Sequence, residues 1–283
     1  VPLRLCLRCL GPGLATRTLW VVLPLAVGLT LPVVIAPAGA QEVPAPGERP
    51  AVAVHEVERW PPVATFSIVG YDPETGEVGG AVQSRVFSVG NGVLWAEANV
   101  GVVATQAIVD VSYGPQGLAL LRQGLSAQDV VRTILDNDRD PRPDGWTKLG
   151  RQFSVMDARG DVATHTGPEA SDWAGHRIGA NVSAQGNILA GPDVVADMVE
   201  AFEATEGHLS FKLMAALEAG QAAGGDRRGM QSAAMIIVKE DGGVWLNNDV
   251  VLRLQVDDAE NPIVELRRLV EIAGRRRDRI RGR

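Results

Sequence analysis

The sequence predicts an α+β fold in which two antiparallel β-sheets stack on each other, with helix pairs on their outer faces. Predicted elements follow the order strands, two helices, strands, two helices, strands and a last helix, so strands and helices do not alternate one for one. The run SAAMIIVKE at residues 232–240 is nearly all apolar, as is typical of a strand covered on both faces. Both observations disfavour a doubly wound parallel sheet and favour two stacked antiparallel sheets.

Residues 1–40 have the pattern of a secretory signal peptide. Three arginines precede the apolar run at 19–35, and Ala38-Gly39-Ala40 is a small-residue cleavage site. We therefore expect cleavage after Ala40 and an exported protein, periplasmic or extracellular. A membrane anchor is the alternative if the signal is not cleaved. Residues 41–63 are rich in proline and charge and are predicted to form a linker.

Composition limits what the exported chain can do. The 283 residues are 46% hydrophobic, which is ample for a packed core, and the formal net charge is −7. Loss of the three arginines in residues 1–40 would lower that charge to −10, and an acidic surface disfavours nucleic acid as a partner. Cys6 and Cys9 both lie in the signal, so we expect no disulfide, thiolate nucleophile or sulfur-ligated metal in the exported part.

The domain is predicted to span residues 64–273 and to begin with a β-hairpin. The run TFSIVGY starts at Thr65, and DPETGE is the turn to EVGGAVQS, which ends at Ser84. A third strand is expected in NVGVVATQAIV. This arrangement brings the hydroxyl at the start of the first strand close to the serine that ends the second.

Helices and a second set of strands follow. Ser126 and Ser210 are predicted N-caps, and RQFSVMD with DVATHTG is a predicted hairpin. VSAQGNIL, GVWLNND and VVLRLQVDD are further predicted strands. PIVELRRLVEIAG is a predicted terminal helix, and residues 274–283 are predicted to be a disordered basic tail.

Thr65 is the first candidate for chemistry. A threonine hydroxyl becomes a nucleophile when a base removes its proton, and an adjacent free α-amine can be that base. The competing interpretation is an ordinary strand threonine. Ser84 and Arg85 could hydrogen-bond the threonine or hold a substrate carboxylate. Asn187 and Gln106 are amides within apolar strands that could donate to an oxyanion or satisfy backbone groups.

Gln106 and three residues of one loop are candidates for substrate binding. The loop GGDRRGMQS supplies Asp226, Arg227 and Gln231, although it is also a good helix-to-strand turn. His165 and His176 fit no compact metal-ligand spacing, so we expect no metal and no cofactor. Neither G-x-S-x-G, H-E-x-x-H nor a P-loop occurs.

Several long segments together resemble a known bacterial family. They are TFSIVGYDPETGEVGGAVQSRVFSVG, ATQAIVDVSYGPQGL, HTGPEASDWAGHRIGANVSAQGNILAGPDV and AGGDRRGMQSAAMIIV. The family that they resemble is domain of unknown function 1028, grouped with the Ntn (N-terminal nucleophile) hydrolase-like proteins. The resemblance covers residues 64–272.

The resemblance implies a four-layer αββα sandwich and a nucleophile at Thr65. It also implies that Ser84 and Arg85 match the serine and arginine of proteasome-type enzymes, with Gln83 where those have an aspartate. No lysine follows in NVGVVATQAIV, so the amine of Thr65 is the expected base. Tyr113 and His165 join the substrate-binding candidates.

Two functions are therefore expected from the sequence. The first is an exported amidohydrolase that cleaves a small-molecule amide or peptide-like substrate after the Ala64–Thr65 bond has been cut. The second is a non-catalytic binding module with the same fold. A homo-oligomer is compatible with either.

Overall fold

The computed structural model describes residues 65–280. The predicted signal at 1–40, the linker at 41–63 and the last three residues of the predicted tail lie outside the described residues. Within residues 65–280, no helix is long and apolar enough to cross a bilayer.

Ten strands of the described chain form two antiparallel sheets. They are β1 (Thr65–Asp72), β2 (Glu77–Ser84), β3 (Leu94–Glu97), β4 (Gly101–Ala107), β5 (Arg151–Asp157), β6 (Val162–Thr166), β7 (Gly175–Gly179), β8 (Val182–Asn187), β9 (Ser232–Val238) and β10 (Val250–Val256). The larger sheet has six strands in the order β10-β9-β2-β1-β8-β7, and the smaller has the order β3-β4-β5-β6. The first strand of the domain is thus central in the larger sheet.

Six helices accompany the sheets in the same part of the chain. They are α1 (Gly90–Val93), α2 (Tyr113–Arg122), α3 (Ala127–Asn137), α4 (Asp193–Ala204), α5 (Leu209–Ala222) and α6 (Pro262–Ile280). The Ser126 side chain accepts a hydrogen bond from the Asp129 amide at 3.2 Å, which confirms Ser126 as the N-cap of α3. The Ser210 prediction was wrong by two residues, because the His208 ring accepts from the Ser210 amide and caps α5 instead.

The β1–β2 hairpin fixes the position of Thr65. Its turn is held by Asp72, which accepts from the Thr75 hydroxyl at 2.9 Å, and by Gly76, whose φ of +73° suits glycine. The resulting register pairs Thr65 with Ser84 and continues without a bulge to Asp72. The hairpin predicted from DPETGE is therefore confirmed.

Alternation along the strands divides the core into three clusters. Phe66 and Ile68 of β1 pack against α4 and α5, and Phe153 of β5 packs against α2 and α3. Val69 of β1 and Val102 of β4 belong to a third cluster, which lies between the two sheets. The predicted mixed α+β fold with two antiparallel sheets and helices is confirmed.

Three predictions about local structure were wrong. GVWLNND is an exposed loop between β9 and β10 rather than a strand, since the sheet pairing of β9 resumes only at Val250. The segment predicted as the loop GPEASDWAGHRIGAN contains the edge strand β7, and β3 was not predicted. Helix α6 continues past Gly274 to Ile280, because arginine is a good helix former and Gly274 fits closely against Phe211.

Candidate active site

Four polar side chains form a row across the middle of the larger sheet, which we call the polar row: Ser232, Ser84, Thr65 and Asn187. Ladder pairing places Ser84 opposite Ser232, and Thr65 opposite both Ser84 and Asn187. Directly opposed residues share a face of the sheet, with Cβ atoms about 4.5–5.5 Å apart. All four residues are fully buried. Thr65, the first residue of β1, therefore lies in the polar row between Ser84 on one side and Asn187 on the other.

Thr65 and Ser84 are joined directly. The Thr65 hydroxyl donates to the Ser84 hydroxyl at 3.1 Å, as the sequence predicted for this pair. Ser232 has a different role, since it donates to the Val86 carbonyl at 2.6 Å and accepts from the Val89 amide at 3.0 Å. Ser232 thus fixes the chain that follows Ser84, which holds the end of β2 in place.

Gln106 contacts the backbone of Thr65 from the opposite sheet. Its amide nitrogen donates to the Thr65 carbonyl at 3.0 Å and to the Gln152 side-chain oxygen at 2.8 Å, and its oxygen accepts from the Ser67 hydroxyl at 2.6 Å. Both donors and the acceptor are therefore used, which fixes the orientation of the amide. Gln106, predicted as a substrate-binding residue, is placed to position Thr65.

Gln152 is part of this network and was not predicted. Its amide nitrogen lies within hydrogen-bond distance of the Gly186 carbonyl at 2.9 Å, the Gly175 carbonyl at 3.1 Å and the Thr166 hydroxyl at 3.0 Å. It therefore links the smaller sheet to β7 and β8 of the larger one. The only sequence signal was a polar residue at an inward position of the strand RQFSVMD.

Asn187 lies on the other side of Thr65 and differs from the glutamines. It is fully buried, yet among residues 65–280 neither its side-chain nitrogen nor its oxygen has a hydrogen-bond partner. An unpartnered buried polar group costs about 1–3 kcal/mol, so such groups are rare. The next residue, Ile188, has a φ of +54°, which is a strained conformation for a β-branched side chain. An unsatisfied amide and a strained backbone thus adjoin Thr65.

The predicted loop at 224–231 lies at the same end of the sheet. The Gln231 amide donates to the Ser84 carbonyl at 3.0 Å, and the Arg227 amide donates to the Ile188 carbonyl at 3.1 Å. Gln83 reaches the Gly229 carbonyl from its side-chain nitrogen at 3.4 Å. The loop therefore adjoins the ends of the two strands that flank Thr65.

The charged side chains of this loop are arranged mainly for structure. Asp226 is buried and pairs with Arg228 at 2.9 Å, while the exposed Arg227 donates to the Asp172 carbonyl. The Gln231 side chain donates to Asp258 at 3.1 Å. Arg85 is exposed just beyond the polar row and donates to the Met230 carbonyl at 3.4 Å. These residues surround the end of the row without contacting Thr65 in any hydrogen bond that we observe within residues 65–280.

Tyr113 and His165 are not brought to the polar row. Tyr113 is buried beside Phe153 on the outer face of the smaller sheet, and its hydroxyl donates to Asp138. Burial and the Asp138 carboxylate raise the pKa of the Tyr113 phenol. His165 also lies against Phe153, at 5.9 Å between ring centroids, and burial together with His176 lowers the pKa of His165. Both residues serve the core around α2 and α3.

The described residues contain no group of three or more His, Cys, Asp or Glu side chains that could hold a metal ion.

A comparison with known protein families gives the same family that the sequence segments resemble. The family described as "Family of unknown function (DUF1028)" matches residues 65–266. The chain belongs to the DUF1028 family. The match begins at Thr65, which is the first residue of β1.

A solved structure of the same family is similar to this chain. It is the crystal structure of a DUF1028 protein from Silicibacter pomeroyi, with 33% sequence identity and a TM-score of 0.65. The similarity covers 74% of this chain and 89% of the other. A search of curated proteins found no significant match.

Proposed function

We propose that this DUF1028 chain is an exported Ntn-type amidohydrolase with Thr65 as its nucleophile. The observation that carries the proposal is the polar row, in which Thr65 begins a central strand between the Ser84 hydroxyl and the unpartnered Asn187 amide. We include in the proposal that the two sheets and their helices form the αββα sandwich of Ntn hydrolases. The separate helix clusters on β1 and on β5 support that part of it.

The chemistry follows from the three groups beside a substrate carbonyl. The Thr65 oxygen attacks the carbonyl carbon, and the α-amine of Thr65, once freed by cleavage after Ala64, takes the hydroxyl proton. The Asn187 side-chain nitrogen donates to the oxyanion that forms. The amine then gives its proton to the leaving nitrogen, and water hydrolyses the resulting Thr65 ester.

Ser84 and Gln106 prepare Thr65 for this reaction. Ser84 accepts from the Thr65 hydroxyl at 3.1 Å and so limits its rotation. Gln106 holds the Thr65 carbonyl at 3.0 Å and fixes the backbone on which the amine is carried. Preorganised groups of this kind lower a barrier because no reorientation is needed during the reaction.

Two measurements on one sample test the proposal. The purified protein is treated with a hydroxyl-directed β-lactone and weighed by intact mass spectrometry, and its N-terminus is sequenced. We expect one adduct and a chain that begins at Thr65. Thr65→Ala should abolish the adduct, whereas Thr105→Ala, at another buried strand threonine, should keep it.

Each contrary result points to a different error. A chain that is labelled at Thr65 but still carries Ala64 contradicts the free-amine mechanism. A processed chain without an adduct contradicts Thr65 as nucleophile. A Thr65→Ala variant that keeps full ligand affinity, in a protein that is never labelled, favours the non-catalytic binding module.

A further inference from the structure

The loop between β9 and β10 exposes three consecutive apolar side chains. Val244, Trp245 and Leu246 are 51%, 69% and 95% exposed, respectively. The sequence pattern predicts a strand for these residues, yet they lie in a loop outside the sheet. Contiguous exposed apolar groups mark interaction surfaces more often than isolated ones do.

Arg276 and Arg277, near the end of α6, lie beside this loop. The Arg276 guanidinium sits over the Trp245 ring, 5.7 Å from its centroid. Loop, β10 and α6 also line a groove of about 540 Å³, to which Ile272 and Arg276 contribute. The exposed cationic side chains of this end of the helix are Arg275, Arg276 and Arg279. Of these, Arg275 is paired with Glu271 at 3.8 Å. We call the three apolar residues, Arg276 and Arg279 the Trp245 face.

The charge of the Trp245 face opposes that of the whole protein. The chain has a formal net charge of −7, whereas residues 275–279 hold four arginines and one aspartate. A local basic patch on an acidic protein attracts an anionic surface in one orientation only. Anionic phospholipid headgroups attract nearby arginines, and tryptophan favours the boundary between headgroups and acyl chains.

The apolar side chains of the Trp245 face favour a bilayer over other anionic or protein partners. Leu246 gains nothing from a polyanion such as a nucleic acid, whose phosphates contact cations, but it gains from burial at the headgroup–acyl boundary. Three apolar side chains also supply less than the roughly 800 Å² per partner that a stable protein interface buries. Combined with arginines, they suit shallow attachment to a membrane.

We propose that the Trp245 face docks on an anionic phospholipid bilayer, with Trp245 and Leu246 inserted at the headgroup–acyl boundary and the arginines on the headgroups. The proposal does not depend on the amidohydrolase function. It applies to the folded domain and does not require the apolar run at 19–35.

Sedimentation with vesicles tests the proposal. The purified protein is mixed with vesicles of phosphatidylcholine alone or of phosphatidylcholine with phosphatidylglycerol. Binding to the first kind is subtracted as lipid-independent background. An uncleaved N-terminus, whose three arginines would also favour phosphatidylglycerol, contributes equally to the wild type and to every variant. We expect net binding only with phosphatidylglycerol.

Variants assign that binding to the Trp245 face. Leu246→Ser should weaken it about ten-fold, since burial of a leucine side chain contributes that much. Arg276→Gln with Arg279→Gln should weaken it about 25-fold at low salt, from about five-fold for each arginine. Val264→Ser is the matched control, because Val264 is 62% exposed on the same helix outside the Trp245 face. Vesicles with brominated acyl chains should quench tryptophan fluorescence of the bound wild-type protein. The quenched part should be the part that is missing in Trp245→Phe.

Four results would overturn the proposal. They are no net binding to phosphatidylglycerol vesicles, equal loss in Val264→Ser, binding to soluble polyanions that Leu246→Ser leaves unchanged, and a concentration-dependent dimer by light scattering that the same variants abolish. The last would identify a second copy of the chain as the occupant.

Discussion

Replacing Asn187 with leucine should separate the stability of the fold from its activity. Both polar atoms of the Asn187 amide are buried and have no partner in the part of the chain that the structure describes, and each such atom costs about 1–3 kcal/mol. Leucine has the same branching at Cγ and no polar atom. Allowing for imperfect packing, we expect the free energy of unfolding to rise by about 1–2 kcal/mol.

The same substitution should reduce the reaction at Thr65. Loss of one oxyanion donor lowers a rate by about 10²–10³-fold, so β-lactone acylation of Thr65 should slow by that factor. Stability is measured by urea unfolding and by the melting temperature, which should rise by about 2–8 °C for a domain of this size. Acylation is followed by intact mass over time.

Gln106→Leu is the matched control, because it makes the same chemical change in a satisfied amide. It removes three hydrogen bonds and leaves the Thr65 carbonyl, the Gln152 oxygen and the Ser67 hydroxyl without that partner. We expect a loss of about 2–4 kcal/mol. If Asn187→Leu destabilised the protein as much as Gln106→Leu does, the Asn187 amide would be a structural group and not one held in reserve for an oxyanion.

Three further predictions concern the fold around the site. The lowered pKa of His165 means that, below its ordinary value of 6.5, the unfolded chain binds a proton that the folded chain does not. The free energy of unfolding should therefore fall as pH drops below about 6.5, and urea titrations of His165→Phe should show a shallower fall; an unchanged slope would contradict this. Gly79→Ala should destabilise by about 1–3 kcal/mol, because its Cβ would lie 2.2 Å from the Ile236 carbonyl oxygen, while Gly145→Ala, with no atom within 4 Å, should change thermal stability by less than about 0.5 kcal/mol. Tyr113→Phe should lower the urea midpoint by the equivalent of about 1–3 kcal/mol, through the hydrogen bond lost by Asp138, yet leave β-lactone labelling of Thr65 unchanged; slower labelling would place Tyr113 in the site.

The position of Thr65 was predictable because it depends on local rules. A turn sequence fixed the β1–β2 register, and that register alone places Ser84 opposite Thr65. Asn187 and Gln106 were also noticed from the sequence, since an amide in an apolar strand needs a partner. The sequence does not show which amide finds one. That depends on strands more than 40 residues away, because Gln106 meets Gln152 directly opposite it on the neighbouring strand β5.

The predictions for GVWLNND and Tyr113 were wrong for the same reason: each depends on which distant residues pack against the element. GVWLNND has the composition of a strand, but composition does not show whether the neighbouring strand extends far enough to pair with it. Tyr113 lies in a family segment, yet the packing of α2 against Phe153 of the smaller sheet turns it away from the polar row. Both errors concern which face of an element is covered, and distant residues decide that.

The position of Asn187 and Ile188 gives the strongest reason to expect chemistry at the polar row. A positive φ at a β-branched residue costs about 1–3 kcal/mol, and the unpartnered amide before it costs a similar amount. Together these costs are a large part of the roughly 5–15 kcal/mol by which domains are stable. Leucine at 187 would remove one of them by a single substitution. A sequence that keeps the asparagine beside Thr65 is therefore explained best by a ligand atom that the amide is there to meet.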